Sequence, residues 1–260
     1  MTGDLQANWK ALTELVEKLM KRTGTPGVAV GVLAHGEQFT GGFGVTNVDH
    51  PLPVTDTTLF QIGSITKTFT GTAVMRLVEQ GKIRLDAKVR QYLPDFKVAE
   101  PDASANATVQ QLLTHMGGWD GDLFIDTGDG DDALAKGVAA LADREQMAPL
   151  GAVWSYNNAG FSVAGRLIEV VMGKPFEAQI KELVFAPLGM QHSFIGPKDV
   201  MIHRFAAGHA ATPDGPKVQV PWAIPRFAHP AGGIVTTSWT CSNTLGSTWA
   251  MGAERTAAVS

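Results

Sequence analysis

The chain has 260 residues, 44% of them hydrophobic and 18% charged, which gives length for a sizeable core and excludes a disordered composition. A formal net charge of −4 with no basic stripe argues against nucleic acid as a partner. Cys241 is the one cysteine, so an intrachain disulfide is excluded, and no stretch approaches the length of a membrane span.

Trp9, Leu12, Val16, Leu19 and Met20 recur at helical spacing, which predicts a helix over residues 5–21, stopped by Gly24 and Pro26. The opening residues lack the basic start, apolar block and cleavage site of a secretory signal, so a cytoplasmic protein without a membrane partner is expected. The apolar run 27–33 and the segment 38–45 predict a hairpin turned by His35-Gly36. Residues 55–63 lead into a long helix over 65–80. A short irregular segment follows at 85–94, then a short helix at 109–115 ending at Gly117-Gly118.

Residues 118–132 are rich in Gly and Asp. The EF-hand spacing and its terminal glutamate are absent, so Asp120, Asp122, Asp126, Asp129, Asp131 and Asp132 read as a solvated loop. Trp119 and Phe124 in that loop are available to line a pocket. Two helices are expected over 158–172 and 175–185, separated at Gly173. Residues 204–230 read as loop, with Pro213, Pro216, Pro221 and Pro225. There is no internal repeat.

Three short motifs carry the chemistry. Ser64-Ile65-Thr66-Lys67 is a Ser-x-x-Lys pattern at the start of the long helix, so Ser64 and Lys67 share one helix face. A serine hydroxyl needs a nearby base, and a buried lysine can become one because burial disfavours its charged form. Taken alone, the pattern reads as a serine N-cap followed by a solvated lysine. Ser155-Tyr156-Asn157-Asn158 precedes a helix. In isolation Tyr156 is an ordinary core tyrosine, and Asn158 is a helix cap. His229-Pro230-Ala231-Gly232-Gly233 is the third. Its histidine reads as a loop residue, and its glycines as a tight turn. No histidine pair has zinc-site spacing, so neither a metal nor a cofactor is expected.

Together with Leu112-Leu113-Thr114-His115, residues 154–165 and Phe185-Ala186-Pro187-Leu188-Gly189-Met190, these motifs stand in an order that resembles the serine β-lactamase and penicillin-binding-protein superfamily. The resemblance is to the branch holding class C β-lactamases, D-alanyl-D-alanine carboxypeptidases and β-lactamase-like (family VIII) esterases. It implies an α/β (α+β) fold, with an antiparallel sheet flanked by helices plus a mostly helical part. One domain over 1–260 is expected. Residues 1–60 would be a helix and hairpin, 61–237 a helical part with the site, and 238–260 an atypical tail.

The resemblance implies a serine hydrolase working through an acyl-enzyme on Ser64, with Lys67 and Tyr156 managing the proton. Asn158 would hold the lysine and the substrate, and His115 would be structural rather than a triad member. Trp119, Trp154 and Trp222 suggest an apolar substrate pocket. A small carboxylic ester is the expected substrate. β-Lactam or D-amino-acid amide hydrolysis is the alternative, and a non-catalytic remnant is the rival from another class.

After Thr237 the resemblance is expected to end, leaving the family's third catalytic element (a Lys-Thr-Gly or His-x-Gly strand) unmatched. A shifted reading frame starting in the Ser238 codon permits an amphipathic helix containing Asp-Leu, so truncation or a frameshift is the expectation for residues 238–260. Weak turnover is expected on this reading, together with homodimerisation through an open sheet edge.

Overall fold

The computed structural model describes residues 5–220, 222 and 224–242, and it forms two compact units. Among the described residues the first unit takes 5–61, 188–222 and 235–242. The second takes 62–187 and 224–234. The helical part expected as one run over 61–237 is therefore interrupted, because 188–222 returns to the first unit.

In the first unit, α1 (Leu5–Thr23) and the hairpin β1 (Gly27–Ala34) and β2 (Glu37–Gly44) form as the periodicity predicts. The antiparallel register pairs Val30 with Gly41 and Val32 with Phe39. Side chains alternate across the pleat, and the hairpin uses both faces. One face takes α1, with the Trp9 ring 5.8 Å from Phe39. The other face takes residues 238–242, which are helical. A Cβ at Gly31 would lie 2.8 Å from the Ser238 carbonyl oxygen, so glycine permits that approach. Gln38 Nε2 donates to the Trp239 carbonyl at 2.9 Å. The start of the expected atypical tail is thus a packed helix; residues 243–260 lie outside the described residues.

A second sheet has the order β3 (Phe60–Gln61), β7 (Ile234–Thr236) and β4 (Ser193–Ile195). Leu59, Val200 and Val235 are buried there, with Phe194, Phe205 and Trp222 packed against them. The stretch 204–230, expected as loop, contains a hairpin of β5 (His209–Thr212) and β6 (Gly215–Val218). Pro216 sits inside β6. In a two-stranded sheet each strand is an edge, where proline is tolerated.

The second unit is helical. It holds α2 (Thr66–Glu79), α3 (Pro101–Asn106), α4 (Val109–Leu113), α5 (Ala133–Ala139), α6 (Asn158–Met172), α7 (Phe176–Ile180) and α8 (His229–Gly232). Thr108 and Gln111 close a capping box on α4. The α6 helix ends at Gly173 in the left-handed conformation (φ 71°). Val74 and Leu77 of α2, Val163, Leu167 and Ile168 of α6, and Phe176 and Ile180 of α7 are buried. Each such side chain contributes about 1.5–3 kcal/mol relative to exposure. This packing fixes α2 against α6 and α8, which carry the polar groups described next. No described helix is long and apolar enough to cross a membrane.

Candidate active site

Ser64 lies in the 3-10 turn Gly63–Ile65 that leads into α2, not at the cap of an α-helix starting at Ile65. Gly63 turns the chain there at φ 53°, a conformation that disfavours other side chains. Ser64 remains exposed, whereas Lys67 is only 6% exposed.

Lys67 Nζ donates to Ser64 Oγ at 3.1 Å, to Asn158 Oδ1 at 2.8 Å and to the Ala231 carbonyl at 2.9 Å. An ammonium has three N–H donors and no acceptor, and each donor here meets an oxygen. A buried charge is tolerable when so satisfied. The Tyr156 hydroxyl donates to Ser64 Oγ at 2.6 Å, and Lys67 Nζ sits 4.8 Å from the Tyr156 ring centroid. Ser64, Lys67, Tyr156 and Asn158, singled out from sequence, converge on one point.

His115 places the tyrosine. Its carbonyl accepts from the Ser155 N–H at 3.0 Å, and its Nδ1 accepts from the Asn157 N–H at 3.0 Å. Its ring lies 4.6 Å from that of Tyr156. Burial, and then the Lys67 charge, push the imidazole below its usual range and favour the neutral acceptor form. Asn157 is the N-cap of α6, accepting from the Gly160 N–H at 2.7 Å. The capping role that spacing alone offered to Asn158 belongs to its neighbour, which leaves Asn158 to face Lys67.

The tryptophans divide differently from expectation. Trp119 is 3% exposed, with its ring 5.8 Å from Phe96, so it belongs to the core of the second unit and does not line the cleft. Trp154 is 63% exposed and meets His115 edge-on at 5.7 Å, which puts it behind the tyrosine's support and outside the cleft lining. Trp222 packs on Phe205 in the first unit. Phe124 does reach the cleft. That cleft has about 170 Å³ of space over Ser64, Tyr156 and Asn158, with Phe124, Ile224 and Ala228 as apolar walls.

Some contributors carry no signal at the level of motif spacing. The Ala231 carbonyl anchors Lys67, and the Pro230 carbonyl accepts from Thr70 Oγ1 at 2.8 Å. The His-Pro-Ala-Gly-Gly stretch, read from sequence as a turn, thus supplies backbone acceptors. His229 is not a loop residue; it opens α8, and its Nδ1 lies 2.8 Å from Glu177 Oε1. Arg226 grips the same carboxylate through Nε and Nη2, each at 3.1 Å. Burial alone raises the Glu177 carboxyl, but the bonds from His229 and Arg226 outweigh it and hold it at about 2. Among the described residues no group of His, Cys, Asp and Glu is arranged to hold a metal ion.

The family profile described as Beta-lactamase matches residues 12–257, continuing beyond Thr237, where the sequence reading expects the resemblance to stop. Penicillin-binding protein 4 of Amycolatopsis lactamdurans is 35% identical over 234 residues, which are 89% of this chain and 61% of that protein. A Beta-lactamase of Providencia stuartii is 32% identical over 184 residues, 70% of this chain and 46% of that protein. The chain thus spans about half the length of these curated relatives. A crystal structure of a class C beta lactamase superposes with a TM-score of 0.79 at 26% identity, covering 94% of this chain and 66% of that one.

Proposed function

Because the chain belongs to the Beta-lactamase family, we propose that it is a serine hydrolase in which Ser64 forms an acyl-enzyme with a small carboxylic ester. The observation that carries this is the convergence of Lys67 Nζ and Tyr156 Oη on an exposed Ser64 Oγ, at 3.1 and 2.6 Å. In the attacking state the Lys67–Tyr156 pair holds one proton fewer than its full complement. It takes the Ser64 proton as the oxygen–carbon bond forms, then delivers it to the departing alkoxide. Water reverses the sequence and frees the acid. The proton belongs to the coupled pair rather than to one residue. The Ser64 N–H is one donor for the developing oxyanion; such a donor contributes about 3–4 kcal/mol in related chemistry.

Small, apolar walls favour a compact acyl group, and an ester needs no further charge recognition. The names of the curated relatives favour a second substrate, a β-lactam.

Intact mass after exposure to a fluorophosphonate tests the nucleophile. One adduct is expected, absent in Ser64→Ala. Short-chain p-nitrophenyl esters against a chromogenic cephalosporin then separate the two substrates. No adduct on folded protein overturns the hydrolase reading and leaves a non-catalytic scaffold.

A further inference from the structure

The Asn158 amide has a donor end and an acceptor end, and either could face Lys67 by shape alone. Its surroundings decide the matter. The Nδ2 group donates to Asp122 Oδ1 at 3.0 Å, while Oδ1 accepts from Lys67 Nζ at 2.8 Å. A carboxylate offers no donor, and an ammonium offers no acceptor. Rotating the amide by half a turn would set its carbonyl against a carboxylate and its NH₂ against an ammonium. Both contacts would then be repulsive.

Asp122 is itself held firmly. Its N–H donates to Asp120 Oδ1 at 3.1 Å, and its carbonyl accepts from Arg144 Nη2 at 3.3 Å. Arg144 Nη1 donates to Asp120 Oδ2 at 3.0 Å. The preceding Gly121 carbonyl accepts from the Ala159 N–H at 3.0 Å. A Cβ at Gly121 would lie 2.2 Å from Asn157 Cγ, so the loop presses directly on the start of α6. The Asp122 carboxylate is exposed, as the solvated loop expected from composition implies, but its backbone is braced on both sides.

We propose that Asp122 is a positioning residue, whose carboxylate fixes the orientation of the Asn158 amide and thereby keeps its oxygen on the Lys67 ammonium beside Ser64. The loss of kinetic competence expected below rests on the hydrolase reading; the amide orientation does not. Asp122 does not line the cleft itself. Its influence passes through Asn158 to the lysine whose placement sets the nucleophile.

Two readouts on folded protein test this, with Asp122→Ala, Asp122→Asn and the control Asp126→Asn. In ¹H–¹⁵N spectra, the Asn158 side-chain NH₂ resonances, assigned with Asn158→Ala, are expected to lose their shifted, exchange-protected character in Asp122→Ala. Asp122→Asn retains an acceptor and should largely restore it. Phosphonylation of Ser64, followed by intact mass, is expected to slow about 10- to 100-fold in Asp122→Ala, as misplacement near a reacting atom does. Asp122→Asn and the control should stay within about threefold of the unaltered protein. A misfolded Asp122→Ala would move resonances throughout, and Asp122→Leu, similar in shape to the aspartate and without an acceptor, then carries the comparison. Unchanged Asn158 resonances in Asp122→Ala overturn the proposal, as does unchanged phosphonylation of an otherwise reactive protein. If the unaltered protein never labels, the hydrolase reading falls, while the spectra still decide the orientation of Asn158.

Discussion

His115 occupies the left-handed region at φ 60°, where non-glycine residues are uncommon and asparagine is among the best tolerated. Its carbonyl and its Nδ1 hold the two N–H groups that flank Tyr156. The residue therefore holds the backbone on both sides of the tyrosine and acts as its template. His115→Asn keeps a left-handed backbone and a side-chain acceptor. His115→Val loses both, leaving the Asn157 N–H without its partner at about 1–3 kcal/mol and adding backbone strain of about 1–2 kcal/mol. Thermal unfolding should rank unaltered protein, His115→Asn and His115→Val in falling order, and Ser64 phosphonylation should follow the same order. Equal melting of the two variants would sink the template argument. At this scale the sequence is informative about types and silent about assignments. Ser64, Lys67 and Tyr156 are legible because their spacing is a motif. Which of Asn157 and Asn158 caps the helix is not, because both suit a cap and the choice depends on where Trp119 and Lys67 lie. Asp122 hides within an acidic run because its partner is 36 positions away.

Elements whose signals are local were legible. The hairpin turns where His35-Gly36 predicts, and α6 has the expected bounds, 158–172, because an asparagine cap and a left-handed glycine punctuate it. The turn at Ser64 and the β5–β6 hairpin were not, since one departs from helical geometry within three residues and the other carries a proline inside a strand. Contact between elements is further from view. Gly165 reads as an unremarkable helix position, yet a Cβ there would lie 2.3 Å from Pro230 Cγ and 3.3 Å from the Phe176 ring. The α6 helix thus approaches α8 at van der Waals limits, and α8 carries the carbonyl that anchors Lys67. Gly165→Ala must push α8 outward or strain the Phe176 packing. Overpacking of this kind costs about 1–3 kcal/mol. Urea unfolding should show that loss. Ser64 should also label more slowly in the folded variant, because the Ala231 carbonyl has moved. A stability loss with unchanged labelling would show that α8 yields without disturbing the lysine.

Among the described residues, Asp86 and Asp132 are held below their usual range in exposed ion pairs, and acid should act mainly through two less exposed groups whose folded state disfavours the proton. The His115 imidazole is pushed down by burial and by Lys67. Its contribution is present above its ordinary value of about 6.5 and is lost as pH falls below that. Glu177 ordinarily titrates near 4.5 and is held at about 2. The unfolded chain therefore binds the proton first, and stability drains as pH falls from about 4.5 towards about 2. The shift corresponds to on the order of 3 kcal/mol. Removing the charge in Glu177→Gln should lower stability near pH 7 by up to that amount. It should also flatten the dependence between about 4.5 and 2, so that the two urea-midpoint curves converge in acid. Curves that remain parallel would mean that the carboxylate is not what holds Arg226 and His229. Such a network escapes motif reading. Asp131, Glu177 and the Arg226–His229 stretch come from three separate segments, and only packing of α7 and α8 into one helical unit sets a carboxylate between a guanidinium and an imidazole. The charge whose loss in acid weakens the unit and the backbone that holds Lys67 are joined through α8, so acid weakening of Glu177 should reach the nucleophile before the unit unfolds. Phosphonylation rate measured against pH should fall ahead of the loss of helical signal in the unaltered protein. In Glu177→Gln the labelling should start slower, and its fall between about 4.5 and 2 should be shallower than in the unaltered protein.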